Sequence, residues 1–93
     1  MKKKYFRYIN TKPLWEDMSA IAQEAIEGIE NVVIENGKEI ETSYGTLYYD
    51  KGEEEVYIKD DEYAEKPLRE TDTQYILEIA DEVNEWIDNN QTQ

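Results

Sequence analysis

The side chains best able to do chemistry in this sequence are its carboxylates: 23 Asp and Glu residues in a chain of 93 that contains neither histidine nor cysteine. The commonest general base, the thiolate nucleophile and the usual zinc ligands are therefore missing from the outset. Ser19 and Ser43 are the two serines, neither within Gly-x-Ser-x-Gly, and no phosphate-binding glycine loop of either common type is present. A carboxylate pair can in principle share acid and base work, but that requires a substrate cleft that a chain this short hardly encloses. Asp60-Asp61-Glu62 and the run from Asp50 to Glu55 offer hard oxygen ligands, yet neither alternates as a calcium loop does. The residues thus predict a binding protein and not an enzyme, with no cofactor and no dedicated metal.

The sharpest pattern lies near the C-terminus. Ile76, Ile79, Ala80, Val83, Trp86 and Ile87 recur at helical spacing, and Glu78, Asp81, Glu82, Glu85 and Asp88 fall within an arc of about 120° on the opposite side. Like charges four residues apart are about 6 Å apart along the axis and cost a few tenths of a kcal/mol each in an isolated helix. No lysine relieves them. A charged stripe is usually a solvated face, but solubility alone is normally served by mixed signs, so an unmixed ridge points to a binding role. Further acids are read as companions: Glu53, Glu54 and Glu55 with Asp60, Asp61 and Glu62 crowding one hairpin end, Glu16, Glu24 and Glu27 on a first helix, and Glu39 and Glu41 on a strand.

Charge is unevenly spread. Five of the ten basic residues (Lys2, Lys3, Lys4, Arg7, Lys12) precede Pro13, leaving five against all 23 acids in the remainder. That balance attracts cationic partners and repels nucleic acid and anionic membrane. No run approaches membrane-spanning length, the start lacks the apolar stretch of a signal peptide, and the absence of cysteine gives no disulfide framework, so a cytoplasmic location is expected.

The elements that must position these acids make a single α+β domain over residues 1–93. A short N-terminal strand is predicted over residues 3–9, then a helix opening at Pro13 with Leu14, Met18, Ile21, Ala22, Ala25 and Ile29 on its buried stripe and Gly28 as its stop. Asn36-Gly37 accepts the positive φ angles of a tight turn and predicts a hairpin between Asn31–Glu35 and Lys38–Thr42. In that register Val33 faces Ile40 while Val32 and Ile34 meet Glu41 and Glu39, an unsatisfactory mixed face. Asp50-Lys51-Gly52 marks a turn between strands at Thr46–Tyr49 and Glu55–Lys59, and Gly45 reads as a bulge or a break. An antiparallel sheet of three or four strands follows. Asp60–Arg69 reads as a loop, and Thr71-Asp72-Thr73-Gln74 has capping-box spacing ahead of a C-terminal amphipathic helix. Most of the eight tyrosines are expected in the core or on strands, with a minority, together with Trp15 and Leu77, as exposed anchors.

Size, net charge of -13, absence of Cys and His, and the helix-and-hairpin plan together resemble phage-encoded acidic proteins that disarm DNA-binding host proteins. That group includes inhibitors of uracil-DNA glycosylase, anti-restriction and anti-CRISPR proteins, and an inhibitor of the nucleoid protein HU. The likeness is one of composition, carries no motif and transfers no residue role. It implies a DNA mimic whose carboxylates occupy the DNA-binding surface of a basic host protein, an HU-type nucleoid protein foremost, with no direct nucleic-acid contact. The rival expectation is a regulatory interaction domain that binds through aromatic patches.

Overall fold

The computed structural model describes residues 8–12, 17–60 and 65–90. The elements are α1 (Met18–Asn36), β1 (Ile40–Thr42), β2 (Gly45–Asp50), β3 (Glu55–Lys59), β4 (Glu65–Pro67), a 3-10 turn (Leu68–Glu70) and α2 (Thr73–Asn90). The strands form one antiparallel meander in the order β1-β2-β3-β4, so the class is α+β as the sequence predicted. Leu47 pairs with Ile40 on one side and Ile58 on the other, and all three are buried with Val56 beneath the apolar stripes of both helices. Alternation turns Tyr48, Tyr57 and Pro67 to the opposite face, where the two tyrosine rings stack with centroids 6.0 Å apart.

Helix α1 departs from expectation in length. Its stripe of Ile21, Ala22, Ala25, Ile29, Val32 and Val33 runs through Gly28 without interruption. Gly28 is not a stop but a notch, since a Cβ there would lie 3.0 Å from Cγ1 of Ile9. The helix ends at Gly37, which takes φ 73° and donates its N–H to Val33 O at 3.1 Å. The same left-handed tolerance that favours Asn-Gly in hairpins here closes a helix, so the predicted hairpin about Asn36-Gly37 does not exist. Val32 and Val33 are both buried, as neighbours on a helix can be and neighbours on a one-sided strand cannot. Met18, expected on the buried stripe, is exposed, while residues 13–16 lie outside the described part.

The first hairpin instead turns at Ser43-Tyr44, where the Thr42 hydroxyl donates to Gly45 O and accepts the Tyr44 N–H. Gly45 opens β2, and the second hairpin forms as predicted. The Asp50 carboxylate accepts the N–H groups of Gly52 and Glu53 across its turn. The stretch read as a loop up to Arg69 contains β4 and the 3-10 turn, whose Leu68 is fully buried. Glu65-Lys66-Pro67 has no apolar period, so its pairing with β3 left no trace in the residue pattern.

Helix α2 buries Ile76, Ile79, Ala80, Val83 and Ile87 and half-buries Trp86, close to the predicted stripe. The capping box is not formed. Thr71 ends the 3-10 turn, giving its N–H to Leu68 O, and its hydroxyl has no hydrogen-bond partner among the described residues. Ile76 N–H bonds Asp72 O at 3.0 Å, which starts the helix one residue later. Leu77, expected as an exposed anchor, is half-buried against the core. Of the predicted N-terminal strand only Tyr8 and Ile9 are described, and neither lies in a strand. Ile9 is held by a side chain: its N–H donates to Asn84 Oδ1 at 2.7 Å and its carbonyl accepts from Asn84 Nδ2 at 2.8 Å.

Candidate functional site

Burying the apolar stripe of α2 against α1 and the sheet fixes the orientation of everything opposite to it. Glu78, Asp81, Glu85 and Asp88 are exposed and Glu82 is half-buried, so the predicted ridge is formed as one continuous row. From Glu78 to Asp88 the helix rises about 15 Å, giving one charge every 3–4 Å. A single strand of B-form DNA presents one every ~3.4 Å of axis. The ridge therefore matches the charge density of one strand, not of both.

Three of the five carboxylates are held in place by donors from elsewhere in the chain. The Tyr44 hydroxyl donates to Glu78 Oε2 at 2.5 Å. Ser43 donates to Glu82 Oε1 twice, through its N–H at 2.8 Å and its hydroxyl at 3.0 Å. The Tyr8 hydroxyl donates to Asp88 Oδ1. All of these donors are neutral, so they orient the carboxylates without cancelling their charge. No described lysine or arginine pairs with the ridge; the described ion pair is elsewhere, a two-bond contact of Arg69 with Glu30 at 3.0 Å. The serine and tyrosine of the β1–β2 turn were not expected here, because a site contribution from Ser43 and Tyr44 becomes visible only once the turn is placed.

The bond to Glu78 has a titration signature. It pushes the Tyr44 phenol up to about 12, helped by desolvation and by the charges of Glu78 and Glu82. The Tyr8 phenol is raised in the same way by Asp88. In the unfolded chain Tyr44 ionises near 10.0, so its contribution to stability is whole below that pH and disappears as pH climbs toward 12. Near-ultraviolet absorbance titration should show a late phenolate step that is missing from Tyr44→Phe. A Tyr44→Phe profile superimposable on the parent would show that the bond does not persist in solution.

The hairpin acids do not gather as predicted. Glu53 and Glu54 are exposed in the β2–β3 turn and Glu55 opens β3, whereas Asp60 follows the other end of that strand, about 17 Å away at ~3.4 Å per residue. Asp61 and Glu62 lie outside the described residues. Glu53 and Glu55 instead share their neighbourhood with Asp50 and Glu70, and the four charges, after desolvation, raise the Tyr57 phenol. Asp50 was foreseeable as a member, since the turn at Lys51-Gly52 places it opposite Glu55. Glu70 was not, because it arrives through the unpredicted β4. Asp60 is carried toward α2, where it lines a cavity together with Tyr44 and Tyr75.

Among the described residues no group of three or more acids is arranged to hold a metal ion, and no helix is long and apolar enough to cross a membrane. No protein-family model, curated protein or solved structure matches this chain.

Proposed function

We propose that this protein is a stand-in for the DNA backbone, binding the DNA-contacting surface of a basic host protein and blocking its access to DNA. The observation that carries this reading is the α2 ridge: five carboxylates at the charge spacing of one DNA strand, three of them oriented by neutral donors. Preorganised charge loses less side-chain entropy on binding than the same number of loose glutamates, and the long-range field of a chain at -13 speeds encounter with a cationic partner. An HU-type nucleoid protein is the first partner to test, because its affinity for DNA rests on backbone phosphates and not on base sequence.

The test is competition. The protein should release labelled duplex DNA from a purified HU-type protein, with potency falling steeply as salt rises past the point where exposed charges are screened beyond about 8 Å. Asp81 and Glu85 have no hydrogen-bonded partner among the described residues, so Asp81→Asn combined with Glu85→Gln removes two charges and leaves the three pins intact. That double variant should compete about tenfold less well and show a shallower salt dependence. Failure of the parent protein to displace DNA from HU-type, nuclease and glycosylase proteins alike would sink the reading. So would unchanged competition by the double variant. Complex formation indifferent to high salt would favour binding through aromatic surface instead.

A further inference from the structure

We infer that the cleft between Tyr44 and Tyr75, at the N-terminal end of the acidic ridge, receives a single arginine side chain of the basic partner. This inference rests on the charge-mediated reading above and adds a discrete anchor to it. Tyr44 and Tyr75 are 36% and 40% exposed, and their rings meet at 5.5 Å with a 49° tilt. Tyrosine exposed as a pair beside charge is the composition of an interface anchor more than of solvated surface.

Size discriminates among ligands. The cleft encloses about 190 Å³, below the ~300–1,000 Å³ of pockets that take cofactors and drug-sized molecules. One long side chain is the occupant that fits. Ile58 and Ile79 form an apolar floor, which suits the methylene stem of such a residue. Asp60 and Lys66 also line the cleft with opposite charges, leaving the Glu78 carboxylate behind the Tyr44 hydroxyl as the surplus negative group.

The chemistry favours a cation, and arginine over lysine. A tyrosine ring attracts a cation partly removed from water through the negative face of its quadrupole. The hydrogen bond to Glu78 fixes the tilt of the Tyr44 ring, which prepares a surface for a planar group. A guanidinium stacks on such a surface and still has donors to spare for a carboxylate or hydroxyl at its edge, whereas an ammonium cannot stack. Thr71 lines the same cleft, and its hydroxyl is buried without a hydrogen-bond partner among the described residues.

The experiment titrates nona-arginine and nona-lysine peptides into the parent protein, Tyr75→Leu, and the Asp81→Asn/Glu85→Gln variant, by calorimetry at two salt concentrations. Tyr75→Leu keeps an apolar group of fair size and removes the ring; it should weaken the arginine peptide about fivefold, the lysine peptide less than about twofold, and leave the salt slope unchanged. In the parent complex, the arginine δ-methylene protons should move upfield through the ring currents, a readout that needs no variant to fold. Absence of that shift, or equal losses for the two peptides, overturns the inference. The ridge variant separates the two ideas. Unaltered peptide binding by that variant counts against the charge reading, whereas a flattened salt slope together with an indifferent Tyr75→Leu counts against the cleft alone.

Discussion

Gly45→Ala is expected to cost about 3 kcal/mol of folding stability, a large part of the roughly 5–14 kcal/mol available to a domain of this size. Two effects combine. Gly45 has φ 141°, a region that residues with a side chain occupy at a cost of about 1–3 kcal/mol. A Cβ at this position would also stand 2.7 Å from the backbone carbonyl oxygen of Lys59 and 3.0 Å from Ile58 Cγ1. The nearer obstacle is main chain in a paired strand, so relief requires β2 and β3 to separate just where β1 also turns. Gly37 is the control. Its φ of 73° is unfavourable for alanine, but a Cβ there would meet nothing within 4 Å, so Gly37→Ala should lose only about 1 kcal/mol. Urea unfolding followed by tryptophan fluorescence measures both. Equal losses would mean that the close approach of the two strands has no energetic weight.

Leu47→Ala should be of comparable severity, about 3–4 kcal/mol. Leu47 is fully buried at the middle of the sheet, flanked by Ile40 and Ile58 within the core cluster to which both helices contribute. Truncation there removes the transfer free energy of three carbons and leaves a void that β-sheet neighbours on either side, held by their own hydrogen bonds, cannot close. Ile34 supplies the comparison, since it is 48% exposed on α1 and its change to alanine should alter stability by no more than ~0.5 kcal/mol. A Leu47→Ala midpoint close to that of Ile34→Ala would place the core elsewhere.

Where the residue pattern carried one meaning, it was readable. Helix α2 has a buried stripe and an acidic ridge on opposite sides, and no other conformation satisfies both, so the main surface was legible before the fold was known. The β2–β3 hairpin was equally plain because its turn chemistry and its strands agree. Errors arose where one local signal serves two structures. Asn36-Gly37 supplies a left-handed residue to hairpins and to helix ends alike, and the tie is broken only by the buried pair Val32 and Val33. Gly28 looked like a terminus because its actual use, making room for Ile9, depends on a segment nearly twenty residues away. Strand β4 has no side-chain signal, and with it went the arrival of Glu70 beside Tyr57. The pins of the ridge were hidden for the same reason: Tyr44–Glu78 and Ser43–Glu82 bridge 34 and 39 residues, and neither is implied by spacing.

Among the described residues the outermost strands of the sheet, β1 and β4, are three residues each, and β4 brings Glu65, Lys66 and Pro67 to its rim. An incoming chain would find room for only a few ladder bonds there, next to two charges and a proline without an N–H to offer. Such a rim is a poor template for fibre growth, and the mutual repulsion of molecules at -13 keeps them from lining up in the first place. Growth of a fibre through either described rim is therefore disfavoured.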